Sequence, residues 1–315
     1  MLASEFCKSG HEVRIVTSTP AIEKDDFPFK IIRRPRPLVL LRSLAWCDVY
    51  FHNNISLQTV WPLLFLRRPW VVVHHTWIAR PDGSLGFRDR LKRMAIKFAT
   101  NISVSSAIAA KLPVKSAVIQ NSYRDDLFIR YANDQRSKEL AFVGRLVSDK
   151  GVDLLVEAMG LLKKQGLEPR LTVIGSGVEL EALKTLARDK RVSAQIDFVG
   201  VKTGKALVEL LNEHLVLVVP SRWQEPFGLV ALEGIACGCV VVGSSGGGLK
   251  DAIGSCGVTF QNGNVAELAS ILRRFLLRPE ELDVYRVGAK KHLEAHQRSV
   301  VAQAYLQVFE KVLAR

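Results

Sequence analysis

The sequence has no apolar run long enough to cross a membrane. Its run from Val60 to Leu66 ends at the basic pair Arg67 and Arg68, far short of the roughly 20 apolar residues that a spanning helix needs. The first residues lack the basic leader and apolar core of a signal peptide. No repeat and no low-complexity tract is present, which argues against solenoid and disordered classes. We therefore expect a globular protein of the cytoplasm.

Cysteine is scarce, and the few cysteines suit neither disulfides nor metal binding. The five thiols are odd in number and scattered, and Cys237 and Cys239 have neither a zinc nor a redox spacing. Their apolar neighbours predict buried free thiols, which fits a reducing cytoplasm. The sequence also offers no Asp and His cluster that requires a metal ion, so no metal cofactor is expected.

What the sequence does contain is an uneven excess of positive charge. The 315 residues carry 44 Lys and Arg against 31 Asp and Glu, and residues 1–130 alone hold 20 against 10. The excess concentrates at residues 30–36, 67–68 and 88–98. It favours an anionic partner, and because no nucleic-acid motif accompanies it, we do not expect nucleic acid to be that partner.

The third basic segment reads as an amphipathic helix. Phe87, Leu91, Met94 and Phe98 recur along one side, between basic residues. Such a helix can lie on the inner face of an anionic membrane, which would make the protein peripheral there. Alternatively, its apolar side packs on the domain core and its basic side is only solvated. The sequence is compatible with both.

The most informative stretch reads strand, loop, helix and carries two carboxylates. The apolar run 215–219 predicts the strand, and a Pro-Phe-Gly turn follows before an apolar helix. Glu225 and Glu233 bracket the turn. Open α/β sheets bind ligands at the carboxyl ends of strands, and the free N–H groups of a helix N-terminus attract phosphate. The two carboxylates would then bind opposite ends of one elongated anionic ligand.

A second strand, loop and helix has the same layout. The strand of residues 140–143 precedes a glycine-containing loop with Arg145 and Lys150, and apolar residues then recur at helical spacing up to Gly166, the expected C-cap. Arg offers a bidentate fork and Lys a mobile point charge. The loop therefore suits a diphosphate.

Three weaker signals follow, each a short strand followed by glycine, which on its own predicts only a turn. They lie at residues 171–177, 196–200 and 246–251. The first includes Gly175 and the second Val199. In the third, the glycines would let the backbone approach a ligand closely.

Residues 220–238, around the two carboxylates, closely resemble the E-x7-E signature of retaining glycosyltransferases of family GT4. The loop 144–151 is similar to the donor-phosphate loop of that family. The resemblance implies that Glu225 binds the donor sugar and Glu233 the ribose, while Arg145 and Lys150 neutralise the leaving diphosphate. The other implied donor contacts are Gly144, Gly175, Val199, Pro226, Phe227, Gly228 and Leu229.

The first half of the chain supports the same resemblance. Residues 69–77 read as a strand that ends in two histidines. In the family, a His at such a strand end often approaches the donor sugar and its acceptor. His75 matches that position best, with His74 as the second choice, and His75 joins Glu225, Arg145 and Lys150 as the implied catalytic set.

The fold implied by the resemblance is α/β, with two Rossmann-like domains facing each other across a cleft, the GT-B fold. The first domain would cover residues 1–133 and bind the acceptor, and the second, 134–297, the nucleotide sugar. The last helix, within 298–315, would return to the first domain. The chain opens inside the family's first helix, without the strand and Gly-rich loop that precede it, so we expect a truncated or misassigned start.

The implied function is transfer of a sugar from a nucleoside-diphosphate sugar to an acceptor, with retention of the anomeric configuration and no further cofactor. The basic surface favours a cell-envelope glycan or a lipid-linked saccharide as acceptor. One alternative is a non-catalytic nucleotide-sugar binder left by the truncation. A nicotinamide-dependent Rossmann enzyme is another, but a clear G-x-G-x-x-G with a later acidic residue is lacking.

Overall fold

A computed structural model describes residues 2–20, 27–80, 82–132 and 136–314 and divides the chain into two compact units. The first unit comprises Met1–Asn121 and Arg298–Arg315, and the second comprises Ser122–Gln297. The domain boundary predicted at residues 133 and 134 lies outside the described residues and stays a prediction.

The described part of the first unit contains six short strands. They are β1 (Arg14–Thr17), β2 (Lys30–Arg33), β3 (Tyr50–Asn53), β4 (Trp70–His74), β5 (Thr100–Ser103) and β6 (Ala117–Val118). β1 and β2 form one parallel sheet, and the other four strands form a second parallel sheet in the order β3-β4-β5-β6.

Helices cover these strands. They are α1 (Leu2–Lys8), α2 (Pro37–Trp46), α3 (Leu57–Val60), α4 (Phe87–Ala95) and α5 (Ser106–Lys111), with 3-10 turns at Trp61–Leu64 and Ile96–Phe98. All five residues of β4 are buried, so this strand is covered on both faces. Its Val72 belongs to an apolar cluster with Leu44, Tyr50, Ile55, Trp70, Ile78 and Ile96.

The last helix of the chain, Arg298–Leu313, belongs to the first unit, as predicted. The Phe309 ring meets Phe6 of α1 at 5.6 Å and Phe51 of β3 at 5.3 Å between centroids. Both pairs are edge-to-face, the arrangement that aromatic quadrupoles favour. These ring contacts fix the returning helix against α1 and the sheet.

The second unit contains one six-stranded parallel sheet. Its strands are β7 (Lys138–Val143), β8 (Leu171–Ile174), β9 (Ile196–Gly200), β10 (His214–Val219), β11 (Val240–Ser244) and β12 (Gly257–Phe260). β8, β10 and β11 are almost wholly buried runs rich in Val, Ile and Leu, as expected for parallel strands covered on both faces. The strand order is β12-β11-β10-β7-β8-β9.

Helices alternate with these strands along the chain. They are α6 (Val152–Lys164), α7 (Leu180–Asp189), α8 (Gly204–Glu213), α9 (Leu229–Ala236), α10 (Leu249–Ile253), α11 (Val265–Leu277), α12 (Glu281–Val287) and α13 (Ala289–Ala295), which makes the helix Arg298–Leu313 α14. Short 3-10 turns lie at Ser148–Lys150 and Ser193–Gln195. α6 ends at Lys164, close to the predicted C-cap glycine. Gly166 has a φ of 78°, in the left-handed region in which helices commonly end.

The sheet of the second unit has a topological switch point between β7 and β10. The chain runs outward from β7 through β8 to β9, and β10 then pairs with the other edge of β7. The loops after β7 and β10 therefore lead away to opposite sides of the sheet. In open α/β sheets the crevice at such a point is where ligands bind.

The basic segment after residue 86 leaves most of its apolar side exposed, although Leu91 is half-buried. α4 ends at Ala95, and a 3-10 turn continues to Phe98. Phe87, Met94 and Phe98 are 76%, 55% and 83% exposed. Packing on the core, one of the two alternatives for this segment, is therefore wrong for these three side chains. Among the described residues, no helix is both long and apolar enough to span a bilayer.

All five cysteines are free thiols. Cys237, Cys239 and Cys256 are buried, as expected from their apolar neighbours, whereas Cys7 and Cys47 are half-buried. Burial raises the pKa of the Cys256 thiol, which lowers its reactivity.

Candidate functional site

Three loops of the second unit leave the carboxyl ends of adjacent strands at the switch point. We call them the β7 loop (residues 144–151), the β10 loop (residues 220–228) and the β11 loop (residues 245–248). Each leads into a helix: α6, α9 and α10. The sequence placed the candidate residues Arg145, Lys150 and Glu225 in the first two.

A charged pair joins the β7 and β10 loops. The Lys150 Nζ donates to Glu225 Oε1 at 2.6 Å, and the Ser221 hydroxyl donates to the same oxygen at 2.8 Å. The Lys150 and Glu225 side chains are only 22% and 14% exposed, so the pair is weakly screened by solvent. Glu225 Oε2 has no hydrogen-bond partner among the described residues. One oxygen of the carboxylate is thus anchored, and the other is open to a ligand.

Backbone hydrogen bonds hold the same two loops in register. The Asp149 carbonyl accepts from the N–H groups of Arg222 and Trp223, at 2.9 and 3.1 Å. At Gly151 the φ is 66°, and a Cβ there would lie 2.1 Å from the Pro220 oxygen. Only glycine permits this approach, so the second glycine of the predicted phosphate loop has a packing role.

The β11 loop is hydrogen-bonded to the backbone of Glu225. The Gly248 N–H donates to the Glu225 carbonyl at 2.6 Å, and Gly247 forms an isolated parallel bridge with Glu225. The Asn262 side chain, which follows β12, crosses between loops: its Oδ1 accepts from Gly246 N at 2.7 Å, and its Nδ2 donates to Ser221 O at 3.3 Å. Asn262 therefore holds the β10 and β11 loops together.

The glycines after β8 allow that strand end to approach the β7 loop. Gly175 has a φ of 150°, and a Cβ on it would lie 1.8 Å from the Gly144 oxygen. A Cβ on Gly177 would lie 2.2 Å from the Leu146 oxygen. The Gly175 N–H in turn donates to Gly200 O, next to Val199 in β9, at 2.9 Å. The predicted residues Gly144, Gly175 and Val199 thus lie along one continuous edge of the sheet.

The first backbone N–H groups of α9 follow Glu225 closely along the chain. Gly228 is its N-cap with a φ of 108°, and a Cβ there would meet Leu249 at 2.5 Å. Phe227 is buried with its ring near that of His296, while Pro226 is half-buried and Leu229 is 40% exposed. The first N–H groups of a helix have no intrahelical acceptor, and the dipole makes this end attractive to anions.

Glu233 lies inside α9 and is mostly buried. Burial raises the pKa of its carboxyl to about 7, since the charged form loses hydration. No hydrogen bond to this carboxylate is found among the described residues. A carboxyl group without a partner in the protein can accept hydrogen bonds from the hydroxyl groups of a ligand.

Arg145 stands apart from these contacts. Its side chain is exposed, and within the described part of the chain it forms no ion pair. It follows Gly144 at the carboxyl end of β7, on the same loop as Lys150. A guanidinium in this state is available to an incoming anion.

The two candidate histidines belong to the first unit and differ in burial. His74 is 1% exposed, its Nε2 is 2.9 Å from Asn101 Oδ1, and burial lowers its pKa. Because the Asn101 amide donates to two backbone carbonyls, its Oδ1 must accept from His74. His74 is therefore a neutral residue that is hydrogen-bonded inside the first unit, and its role as the second choice at the strand end stays a prediction.

His75 lies one residue beyond β4 and is half-buried. Its N–H donates to Asn54 Oδ1 at 2.8 Å, and Asn54 itself has a φ of 62°. Burial lowers the pKa of the His75 ring, against the effect of a hydrogen bond with the Asn121 side chain. The ring is thus expected to be neutral at physiological pH and able to accept or donate one proton.

Sequence reasoning missed two residues of the site. Ser221 was visible only as the end of a strand, although its position four residues before Glu225 places it on the same loop. Asn262 had no signal beyond following a strand, and its partners lie 16 and 41 residues away. Among the described residues, no group of three or more His, Cys, Asp or Glu is placed to hold a metal ion.

Comparison with known proteins gives an independent result for this unit. Residues 124–292, more than half of the chain, match the family model for glycosyl transferases group 1. The glycogen synthase of Mycobacterium tuberculosis (strain CDC 1551 / Oshkosh) is 36% identical over 174 residues, which are 54% of this chain and 42% of that protein. The match thus spans less than half of this relative.

Solved structures match most of the chain at low identity. Sucrose-phosphate synthase from Thermosynechococcus elongatus has a TM-score of 0.82 at 21% identity, covering 99% of this chain and 92% of that one. Anabaena HepE, solved with UDP and glucose, has a TM-score of 0.73 at 17% identity, covering 90% and 86%. These likenesses show the α/β GT-B fold predicted from the sequence. With more than half of its length matched by the family model, the chain belongs to the glycosyl transferases group 1.

Proposed function

We propose that this protein transfers a glycosyl group from a nucleoside-diphosphate sugar to an acceptor, with retention of configuration at the anomeric carbon. The observation that carries the proposal is the Lys150, Glu225 and Ser221 cluster beside the start of α9, at the switch point of a parallel sheet. The Lys150 ammonium suits a contact with phosphate, and the open Glu225 Oε2 suits a sugar hydroxyl. The first N–H groups of α9 suit a phosphate oxygen.

In the proposed reaction, the bond between the anomeric carbon and the diphosphate oxygen breaks. A bond from the same carbon to an acceptor oxygen forms, and the proton of the acceptor hydroxyl passes to the departing diphosphate. Negative charge develops on the departing diphosphate, where Arg145, Lys150 and the first N–H groups of α9 would stabilise it. Such fixed donors are worth several kcal/mol in transition-state stabilisation.

The two carboxylates take different parts. Glu225, anchored through Oε1, would accept from hydroxyls of the donor sugar with its open Oε2, and Glu233 would accept from the ribose hydroxyls. His75, in the first unit, would approach the sugar and its acceptor. The remaining donor contacts are those predicted from the sequence, at Gly144, Gly175, Val199, Pro226, Phe227, Gly228 and Leu229.

The ligands of related proteins support the nucleotide sugar as donor. HepE was solved with UDP and glucose, and the relative from M. tuberculosis is a glycogen synthase. We propose a glycan or lipid-linked saccharide of the cell envelope as acceptor, because the basic first unit suits an anionic surface. We also propose that the cationic β7 loop makes a metal ion unnecessary.

The first test is calorimetric titration of the 315-residue chain with UDP, GDP, ADP and CDP. One diphosphate should bind selectively, and Lys150→Ala should weaken its binding by about tenfold to a hundredfold, the usual effect of losing a hydrogen bond to a charged group. Lys184→Ala is the matched control, since Lys184 lies on α7 and pairs with Glu181 of the same helix. Equal losses in both variants would refute the assignment of Lys150.

The second test separates a transferase from a non-catalytic binder. The chain is incubated with labelled sugar nucleotides of the base that binds, together with a cell-envelope extract, and transferred label is measured. Glu225→Gln keeps the size of the side chain and should abolish transfer while leaving diphosphate binding within about threefold, because it removes the charge and turns one acceptor oxygen into an amide donor. Binding without transfer from any donor would favour the non-catalytic alternative.

A further inference from the structure

Large apolar side chains are exposed at two neighbouring places in the first unit. Leu64 and Phe65 are 83% and 73% exposed, and Phe98 is 83% exposed. Phe65 contacts Trp61 edge-to-face at 6.1 Å between centroids, so it is held in place although it faces outward. Single exposed apolar residues are normal, but a cluster of large ones is typical of an interaction surface.

The topology brings these residues together. Leu64 and Phe65 lie just before β4, and Phe98 lies just before β5. β4 and β5 are paired and parallel, so their starts lie at the same edge of the sheet. Side chains beside them, Leu63 and Leu66 on one segment and Ile96 and Ala99 on the other, pack in one apolar cluster. Those residues anchor the two segments and leave the three large side chains outside.

Positive charge surrounds this edge. Arg67 and Lys97 flank the exposed side chains and are themselves exposed. α4, which leads into Phe98, adds exposed Arg88 and Arg90 together with the exposed rings and chains of Phe87 and Met94. The four cations named here form no ion pair within the described part of the chain. The one acid of α4, Asp89, accepts from the Gly86 N–H at the helix start.

We propose that this basic–apolar edge, formed by Leu64, Phe65, Arg67, Lys97 and Phe98 with the outer side of α4, binds the surface of a bilayer containing anionic phospholipids. Large apolar side chains enter the boundary between headgroups and acyl chains, and Lys and Arg are attracted to anionic headgroups. Because the four cations form no ion pair within the described part of the chain, they remain available to a surface of negative charge.

The proposed contact leaves the candidate histidine of this unit free. His75 follows the carboxyl end of β4, and the basic–apolar edge precedes its start. The five residues of β4 separate the two by roughly 16 Å along the strand. Docking would therefore hold the unit on the membrane while its strand ends point away from the lipid. The proposal concerns a surface outside the donor site and does not rest on transferase activity.

The test is co-sedimentation of the full chain with vesicles of phosphatidylcholine alone or of phosphatidylcholine and phosphatidylglycerol in equal amounts. The chain should bind the anionic vesicles at least tenfold more tightly than the neutral ones. Phe65→Ser with Phe98→Ser should reduce binding at least tenfold, and Arg67→Glu with Lys97→Glu should do so as well, since each cation near such a surface contributes about fivefold.

Matched controls come from the second unit. Val284 and Val287 are 73% and 84% exposed on α12, and Lys202 and Lys205 are exposed before and within α8. Val284→Ser with Val287→Ser, and Lys202→Glu with Lys205→Glu, should bind vesicles like the wild type. Circular dichroism and diphosphate titration of each variant show that the chain still folds.

Four results would overturn the proposal. One is equal binding to neutral and anionic vesicles or none to either. Another is an equal loss of binding in the control variants. The third is that the Phe65 and Phe98 double variant turns a dimeric chain into a monomer without changing lipid binding, which would assign the edge to a second copy. Displacement from vesicles by RNA in the wild type but not in the Arg67 and Lys97 double variant would assign it to nucleic acid instead.

Discussion

The buried carboxyl of Glu233 makes the stability of the second unit depend on pH. Its pKa is raised from 4.5 to about 7 by burial. Because the pKa is higher in the folded state, the folded chain holds this proton more tightly than the unfolded chain between these values. The stabilising contribution is complete below about pH 4.5 and is lost as the pH rises through about 7.

Replacing Glu233 by Gln removes the titration. Each pKa unit corresponds to about 1.4 kcal/mol, so the ionised carboxylate costs the folded state about 2 to 3 kcal/mol once its partial exposure is allowed for. Glu233→Gln should therefore unfold with a free energy higher than that of the wild type by about this amount at about pH 8. Well below pH 4.5 the two should be equal, because Glu233 is then neutral in both the folded and the unfolded chain.

The assay is urea unfolding of both proteins, followed by circular dichroism at several values between about pH 5 and pH 8. Glu181→Gln serves as control, because Glu181 is 79% exposed on α7. It should follow the wild type at every pH. If the difference between Glu233→Gln and the wild type did not change with pH, the argument from burial would be refuted.

The same substitution should weaken nucleotide binding, although it stabilises the fold. If Glu233 accepts the ribose hydroxyls, binding favours its ionised form and lowers its pKa. A proton is then released on binding near pH 7, and calorimetry in buffers of different ionisation heat measures it. Proton release of the same size in Glu233→Gln would show that another group is responsible.

Three further outcomes test the loops and the chemistry. Gly175→Ala places a Cβ 1.8 Å from a carbonyl oxygen and should lower the free energy of unfolding by about 2 to 4 kcal/mol. At Gly166 a Cβ would meet nothing within 4 Å, so Gly166→Ala should lower it by only about 1 kcal/mol. Urea unfolding of the two variants measures the difference. Asn262→Ala should weaken diphosphate binding severalfold, because Asn262 holds the β10 and β11 loops together. The control Asn264→Ala removes the N-cap of α11 and should lower the free energy of unfolding by about 1 kcal/mol while leaving the diphosphate affinity measured by calorimetry unchanged. Sugar transfer should persist in EDTA, since the β7 loop supplies the positive charge; a strict requirement for a divalent ion would contradict this.

The order of strands and helices could be predicted from the sequence because its signals are local. Apolar runs, helical spacing and glycines placed the strand ending at Val143, the helix ending near Gly166 and the turn at Pro226 within a few residues of the structure. The carboxylates and cations of the candidate site were found in the same way, since each lies next to a strand end.

The contacts within the site could not be predicted, because they join residues far apart in sequence. Lys150 and Glu225 are 75 positions apart, and they meet only because β10 returns to the side of β7. The role of Asn262 depends on the same strand order. The exposure of Phe98 was also undecided, since an amphipathic pattern shows that a helix has two sides and not what covers each of them.

The ties that hold the β10 loop have a consequence for altering this protein. Trp223 is held through its backbone N–H group, and Glu225 is held through its backbone carbonyl as well as its side chain. The Arg222 side chain, by contrast, pairs with Asp153 of α6. Amide hydrogens and carbonyls are the same for almost every amino acid, so the side chain at position 223 can vary while the backbone path to Glu225 stays fixed. Position 223 is therefore suited to substitution that keeps the framework of the site, whereas position 222 is not.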